Sequence, residues 1–459
     1  MDVRRGSRLG PDRLPASSLP GYDTAQGLGA GKLVPHRAAS GDNPNVSEKF
    51  FIEELPNGLT LLGQQMEHVG SAAMTFVVPS GAAHDPAGAA GAACVTSEWC
   101  FRGAGHRNTR QLNDALDALG CRRHETVRSE HICFSVAQLG RNLGEVLAIY
   151  ADILRRPALA DDTFEPCRAL TLQDLASLED EPARKCNMLL REKFYPMPLG
   201  RCAYGTADSL TAMTAGTVRN HTRKGLDPRG TILAAAGNID WEAFVALAEQ
   251  HLGDWASEPA PQVTTRPAPG GIVHIAKDSA QTHITLAHRT VPITDERYYA
   301  ARVAETILSG GMSSRLFTEV REKRGLVYHV SSRYHSLKDH AGMFTYAGTV
   351  PEKAQETFDT TIGELRRLGE GVQEEEMARA RTQLKSSLIM QGESTAARAG
   401  ALAADWYHLK RLRSLEELSD AIDGVTARDV LTYLRDCPAE NFTVLVIGPQ
   451  PVDTSSISG

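Results

Sequence analysis

Residues 93–103 read ACVTSEWCFRG and follow an Ala/Gly-rich run. The stretch offers two thiols (Cys94 and Cys100), one hydroxyl (Ser97) and one carboxylate (Glu98). A thiol attacks as the thiolate, which needs a neighbouring base or cation. His84 and His106 flank the stretch, but the spacing pairs neither with a thiol. Core packing is the usual fate of a helical free cysteine, and it is the expectation for Cys94 and Cys100. Two further stretches carry histidines: HETVRSEH at 124–131, with Glu125 and Glu130, and HVSSRYH at 329–335. The first pair is seven residues apart, and the second has strand-like surroundings. An odd separation along a strand puts side chains on opposite faces, which would part His124 from His131; no third ligand is evident at either stretch, so these histidines are expected at surfaces or edges. None of the eight cysteines forms a C-x-x-C. The amino-terminal residues lack the apolar centre of a secretory signal. Free thiols in a reducing cytoplasm are the simplest account.

A chain of 459 residues is too long for one core, so two or more domains must position these groups. Its 56 acidic against 49 basic residues give a net charge of −7, which argues against a general nucleic-acid binder. No apolar run approaches the ~18 residues of a transmembrane segment. Residues 1–45 are rich in Gly, Pro, Ser and Arg without hydrophobic periodicity, and read as a disordered or loosely docked extension.

The remainder repeats itself at an offset of about 211 residues. Leu154–Arg156 and Leu365–Arg367 fall at matching places. The apolar strands TILAAAG and TVLVIG end in Gly237 and Gly448. Each strand follows a helical stretch opened by a threonine suited to an N-cap, Thr214 and Thr426. The order of strands and helices predicts an α+β fold. It has two homologous domains, each a mainly antiparallel sheet with helices packed on one face. The expected boundaries are 46–257 and 272–452, with a Pro/Gly/Thr-rich linker at 258–271.

From about residue 50 to 450 the chain resembles the pitrilysin and mitochondrial-processing-peptidase group of zinc metallopeptidases. NGLTLLGQQ, LDALG, YPMPLGRCAYGT and TILAAAGNID follow the group's first domain. LSGGMSSRLFTEVREKRGLVYHVSS at 308–332 resembles its carboxy-terminal signature most specifically. The group carries H-x-x-E-H on a helix: both histidines reach zinc, and the glutamate is general base. A more distant Glu completes the ligands. Aligned on Phe101–Gly103, the resemblance puts Cys94 and Glu98 at the histidine positions, Ser97 at the base and Asp174 at the distant ligand. Cys, Glu and Asp can each bind zinc, but Asp is shorter than Glu and Ser97 lacks basicity. Loss of a general base typically costs ~10²–10⁴-fold.

The signature keeps Arg321 and Tyr328. In active relatives such a pair holds substrate, Tyr donating to the scissile carbonyl oxygen and Arg to a neighbouring carbonyl. The competing account makes Arg321 a salt-bridged helix residue and Tyr328 the start of a buried strand. The resemblance therefore implies a non-catalytic subunit with no cofactor of its own. It would pair with a homologous zinc-bearing subunit and share a chamber for a peptide substrate. A scaffold role, like that of the respiratory bc1 core subunits, and an active peptidase with an altered metal site remain open alternatives.

Overall fold

The computed structural model describes residues 48–257 and 263–457. The expected extension at 1–45 and residues 258–262 of the expected linker lie outside the described residues. The first half contains β1 (Lys49–Glu54), β2 (Thr60–Gln65), β3 (Ser71–Val78), α1 (Ala92–Trp99), β4 (Gly103–Ala104), β5 (Arg107–Asn108), α2 (Thr109–Ala118), β6 (Arg122–Val127) and β7 (Ile132–Leu139). It continues with α3 (Leu143–Arg155), α4 (Asp161–Ser177), α5 (Pro182–Phe194), α6 (Ala207–Ala212), α7 (Ala215–Gly225), β8 (Ile232–Gly237) and α8 (Trp241–Leu252). The second half opens with β9 (Ile272–Ala276), β10 (Thr282–Thr290), α9 (Tyr298–Ser309), a π-helical turn at Phe317–Glu322, β11 (Val327–Ser336) and β12 (Ala341–Thr349). It ends with α10 (Ala354–Arg367), α11 (Glu374–Gly392), α12 (Thr395–Leu409), α13 (Leu415–Asp423), α14 (Ala427–Asp436) and β13 (Thr443–Gly448).

The repeat is visible in the topology. One sheet runs β1-β2-β8-β3-β7-β6, antiparallel except for β2 beside β8. The other runs β11-β12-β10-β13-β9, antiparallel except for β13 beside β9. Read from the parallel pair, β2-β8-β3-β7-β6 corresponds to β9-β13-β10-β12-β11. The fold is α+β with two homologous domains. Thr214 and Thr426 cap α7 and α14, accepting from the amides of Thr217 and Asp429. Gly237 and Gly448 close β8 and β13.

The central strands β3 and β8 are buried along almost their whole length, because both faces of the sheet are covered. Leu61, Met74, Phe76 and Leu233 point into a core built with α3 and α8 of the same half. Their neighbours Leu62, Val77, Ile232 and Ala234 point the other way, onto Ala399, Leu402 and Ala403 of α12. Alanines on both surfaces bring helix and sheet close. The exchange is reciprocal: α5 lays Leu190, Phe194 and Tyr195 on Ala287, Phe344, Leu445 and Ile447 of the second sheet. Each sheet thus carries its own helices on one face and one helix from the other half on the opposite face. Arg398 of α12, almost fully buried, reinforces the exchange by donating to Gln64 (2.6 Å) and Glu48 (3.0 Å).

Candidate functional site

Helix α1 is held from both ends. Gly91, its N-cap, has φ +98°, and a Cβ there would lie 2.6 Å from the Tyr204 carbonyl oxygen, so only glycine fits. The buried Asp85 carboxyl accepts from the amides of Gly91 (2.7 Å) and Ala93 (2.8 Å), satisfying donors the helix start leaves free. Burial raises its pKa to about 7, against the opposing pull of those amides. Thr96 meets Thr222 of α7 (2.9 Å), and the indole of Trp99 donates to Thr163 of α4 (2.9 Å).

The four positions aligned with the zinc motif lie around this helix. Cys94 is half-buried. Desolvation pushes its thiol well up, and the charges of Asp85, Cys202, Asp174 and Glu98 push the same way. Ser97 is buried. Glu98 is exposed and its only ion pair among the described residues is with Arg102, one helical turn on, at 3.8 Å. Asp174 is exposed on α4. The fold therefore gathers Cys94, Glu98 and Asp174 into one neighbourhood. Among the described residues no group of three or more His, Cys, Asp and Glu side chains is placed to hold a metal ion. Cys100 packs in the core, where burial pushes its thiol up to about 12. All eight cysteines are unpaired.

Arg321 and Tyr328 both belong to the second half, each on a local irregularity. Arg321 sits in the π-helical turn, exposed, with its guanidinium 4.9 Å from the Phe317 ring centroid. Such turns are rare and often mark functional positions. Tyr328 is the extra residue of a β-bulge: Val327 pairs with Thr349 and His329 with Gly348, leaving Tyr328 without a partner. A bulge re-aims a side chain, and Tyr328 is 66% exposed on β11, an edge strand of its sheet. The strand is not buried at this point, and among the described residues Arg321 has no ion pair.

The two histidine stretches divide. His124 and His329 are exposed, as expected for edge residues. His131 and His335 are half-buried, the latter on the edge strand β11, and both line a cavity of about 470 Å³ where the two halves meet. His335 Nδ1 lies 2.7 Å from the Tyr195 hydroxyl. The strand pattern around each histidine gave no sign of this, because the cavity forms only where β7 and β11 approach α5 across the chain.

The two halves are homologous α+β domains, and stretches in both match models of one peptidase family. Residues 62–207 match the family described as insulinase (peptidase family M16), and residues 212–384 match the peptidase M16 inactive domain. An uncharacterized zinc protease of Rickettsia bellii is 30% identical over 88% of this chain and 98% of its own length. Another, from Streptomyces coelicolor, is 31% identical over 86% of this chain and 88% of its own. Among solved structures, a peptidase M16 inactive domain from Pseudomonas fluorescens superposes with a TM-score of 0.79 at 19% identity. It covers 88% of this chain and 99% of that one. A protease from Helicobacter pylori gives 0.80 at 17% identity, covering 88% and 100%. The chain belongs to peptidase family M16. Among the described residues no helix is long and apolar enough to cross a membrane.

Proposed function

We propose that this chain is a cytoplasmic metallopeptidase-like subunit that carries no zinc of its own. It pairs with a homologous zinc-bearing subunit and lends Arg321 and Tyr328 to a shared peptide-cleaving chamber. The observation that carries this reading is the placement of the pair. Tyr328 projects from a bulge on an edge strand, beside the π-helical turn that presents Arg321. An edge strand leaves backbone groups for an extended peptide to pair with. A phenol and a guanidinium beside it can then donate to the peptide's carbonyl oxygens. A hydroxyl aimed where negative charge develops on a carbonyl oxygen lowers the barrier, whereas a donor to a neighbouring carbonyl fixes register.

The donors around α1 support the other half of the proposal, because they do not fit zinc. A ligating thiol must lose its proton, and among the described residues no cluster of three or more donors is placed to hold an ion that would draw it off. Glu98 and Asp174 are solvated rather than converged. Ser97 offers no base to a bound water. The hydrolytic water and its base would belong to the partner.

Affinity capture of the full chain from its native source tests the pairing. The expected result is a stoichiometric homologue bearing H-x-x-E-H, and less than about a tenth of an equivalent of zinc in this chain purified alone. With the pair in hand, Tyr328→Phe should lower turnover by on the order of 10² with little change in peptide affinity. Unchanged turnover would overturn the role of Tyr328. Stoichiometric zinc in the isolated chain would overturn the metal-free reading, and capture of respiratory subunits would favour a scaffold.

A further inference from the structure

The cavity between the halves has a chemistry of its own. Its volume, about 470 Å³, lies within the roughly 300–1,000 Å³ typical of small-molecule sites. Part of its wall is aromatic, from Tyr195, Tyr204 and Tyr407. Four guanidinium groups line it, against the single carboxylate of Glu130.

Two of the four are already committed. Arg201 donates to the carbonyl oxygens of Ala82 and Asp85, and Arg184 pairs with Glu181 and Tyr204. Glu130 is committed as well, accepting from the Lys338 amide at 3.0 Å. Arg128 and Arg191 remain: Arg128 reaches the Cys133 thiol, but among the described residues neither makes an ion pair. Arg128 comes from the β6–β7 turn; Arg191 comes from α5 and rests on the Phe344 ring, 5.7 Å from its centroid. The two act on each other and on the same neighbour. Desolvation and the charge of Arg128 both work against the charge of Arg191, with Tyr195 opposing. Desolvation first, then Arg191 and Arg128, hold His335 neutral down to about 3. The histidine therefore adds no positive charge near neutral pH and leaves a hydrogen-bonding wall. Both side chains keep contact with solvent, so the cavity presents two cations that no carboxylate among the described residues pairs with, open to an entering anion. Guanidinium groups match a carboxylate in geometry as well as in charge.

We infer that this cavity is a binding site for a carboxylate carried on an apolar or aromatic body, with Arg128 and Arg191 holding the carboxylate and the tyrosines the body. The peptide chemistry that fits is either a free C-terminus or an acidic side chain. The site lies within one chain and uses neither Arg321 nor Tyr328, so it stands independently of the pairing proposed above.

Calorimetric titration of the full chain with three probes tests it: acetyl-Ala-Ala-Phe with a free C-terminus, the same peptide as its C-terminal amide, and acetyl-Ala-Glu-Phe amide. The free acid should bind about tenfold or more tighter than the simple amide. Recovery of that affinity by the glutamate peptide would show that the site takes acidic side chains as well as C-termini, and failure to recover it would restrict the site to C-termini. The double substitution Arg128→Gln with Arg191→Gln should weaken the preferred probe about tenfold or more, with the melting temperature read alongside to verify the fold. Equal binding of acid and simple amide, no binding of any probe, or undiminished binding by the folded double variant would each overturn the assignment. The comparison of acid with amide needs no variant, so it decides even if the substitutions impair folding.

Discussion

Replacing Leu402 by alanine tests the exchange of helices between the halves. Leu402 is 1% exposed on α12 and belongs to the cluster that includes Leu62, Val77 and Ile232 of the first sheet. Most of the cluster's other buried members are alanines, Ala73, Ala234, Ala236, Ala399 and Ala403, whose side chains cannot swing into a vacancy. The hole should therefore persist, and the loss should fall in the upper part of the usual range, about 3–5 kcal/mol. Roughly 400 ordered residues at about 2.1 cal/mol/K each unfold with an entropy near 0.85 kcal/mol/K, which converts that loss to a fall of about 4–6 °C in Tm. Calorimetry reads the shift, and hydrogen exchange locates it. Because the second half's helix covers the first half's sheet, amide protection should fall in β2, β3 and β8 as well as in α12. A Tm change below about 1 °C would refute the packing argument. Faster exchange confined to α12 would refute the coupling between halves.

Other outcomes follow from the same structure. Asp405, buried against Arg413 at 3.1 Å from its backbone amide and ion-paired with its guanidinium, should cost about 3–5 kcal/mol when replaced by alanine, because Arg413 is left buried without its charge partner; denaturant titration checks this. Tyr328→Phe removes an exposed hydroxyl and should leave stability within about 0.5 kcal/mol, so a large loss in melting would show a structural role instead. Acid should destabilise the chain below pH 6.5. Burial holds His131 and His288 neutral to about 4 and His335 to about 3, so between those values and 6.5 the unfolded chain binds more protons than the folded one. Asp85 acts in the opposite sense: its raised pKa favours the folded state at low pH and loses that contribution as pH rises from 3.8 through about 7. Asp85→Asn should therefore steepen the fall in Tm between pH 6.5 and 4. A shallower fall in the variant would reject the assignment.

The sequence repeat exposed much of this architecture because local rules wrote it. Thr214 and Thr426 are caps, and Gly237 and Gly448 close strands, so both halves could be aligned without a structure. The helix exchange was hidden, because α5 and α12 carry ordinary amphipathic patterns that do not name the sheet they cover. The irregularities under Arg321 and Tyr328 were hidden too. FTEVRE is as compatible with an α-helix as with a π-helical turn, and nothing in VYH announces a bulge. His131 and His335 looked peripheral because each ends a strand pattern. They become interior only where the other half approaches.

Helix α1 and the turn that bears Arg321 are held in different ways, and this bears on which chemistry the fold can dispense with. Helix α1 is fixed by Asp85, Gly91, Thr96 and Trp99. Of the four positions aligned with the zinc motif, Glu98 contributes only its solvated pair with Arg102, and Cys94 and Asp174 make no ion pair among the described residues. Exposed pairs of that kind contribute about 0–1 kcal/mol, so a metal site could change here with little consequence for folding. The segment before the π-helical turn is over-determined. Buried Arg315 donates to both oxygens of Glu376, each at 2.7 Å, and to the carbonyls of Arg367 and Gly371. Within the turn, Glu319 receives Lys323 at 2.7 Å and Arg324 at 2.8 Å, and their hydrogen bonds hold its pKa down to about 2. A helix that keeps its caps without needing a metal, and an irregular turn preceded by a buried ion pair, are both compatible with the proposed subunit that holds peptide while another supplies the hydrolytic centre.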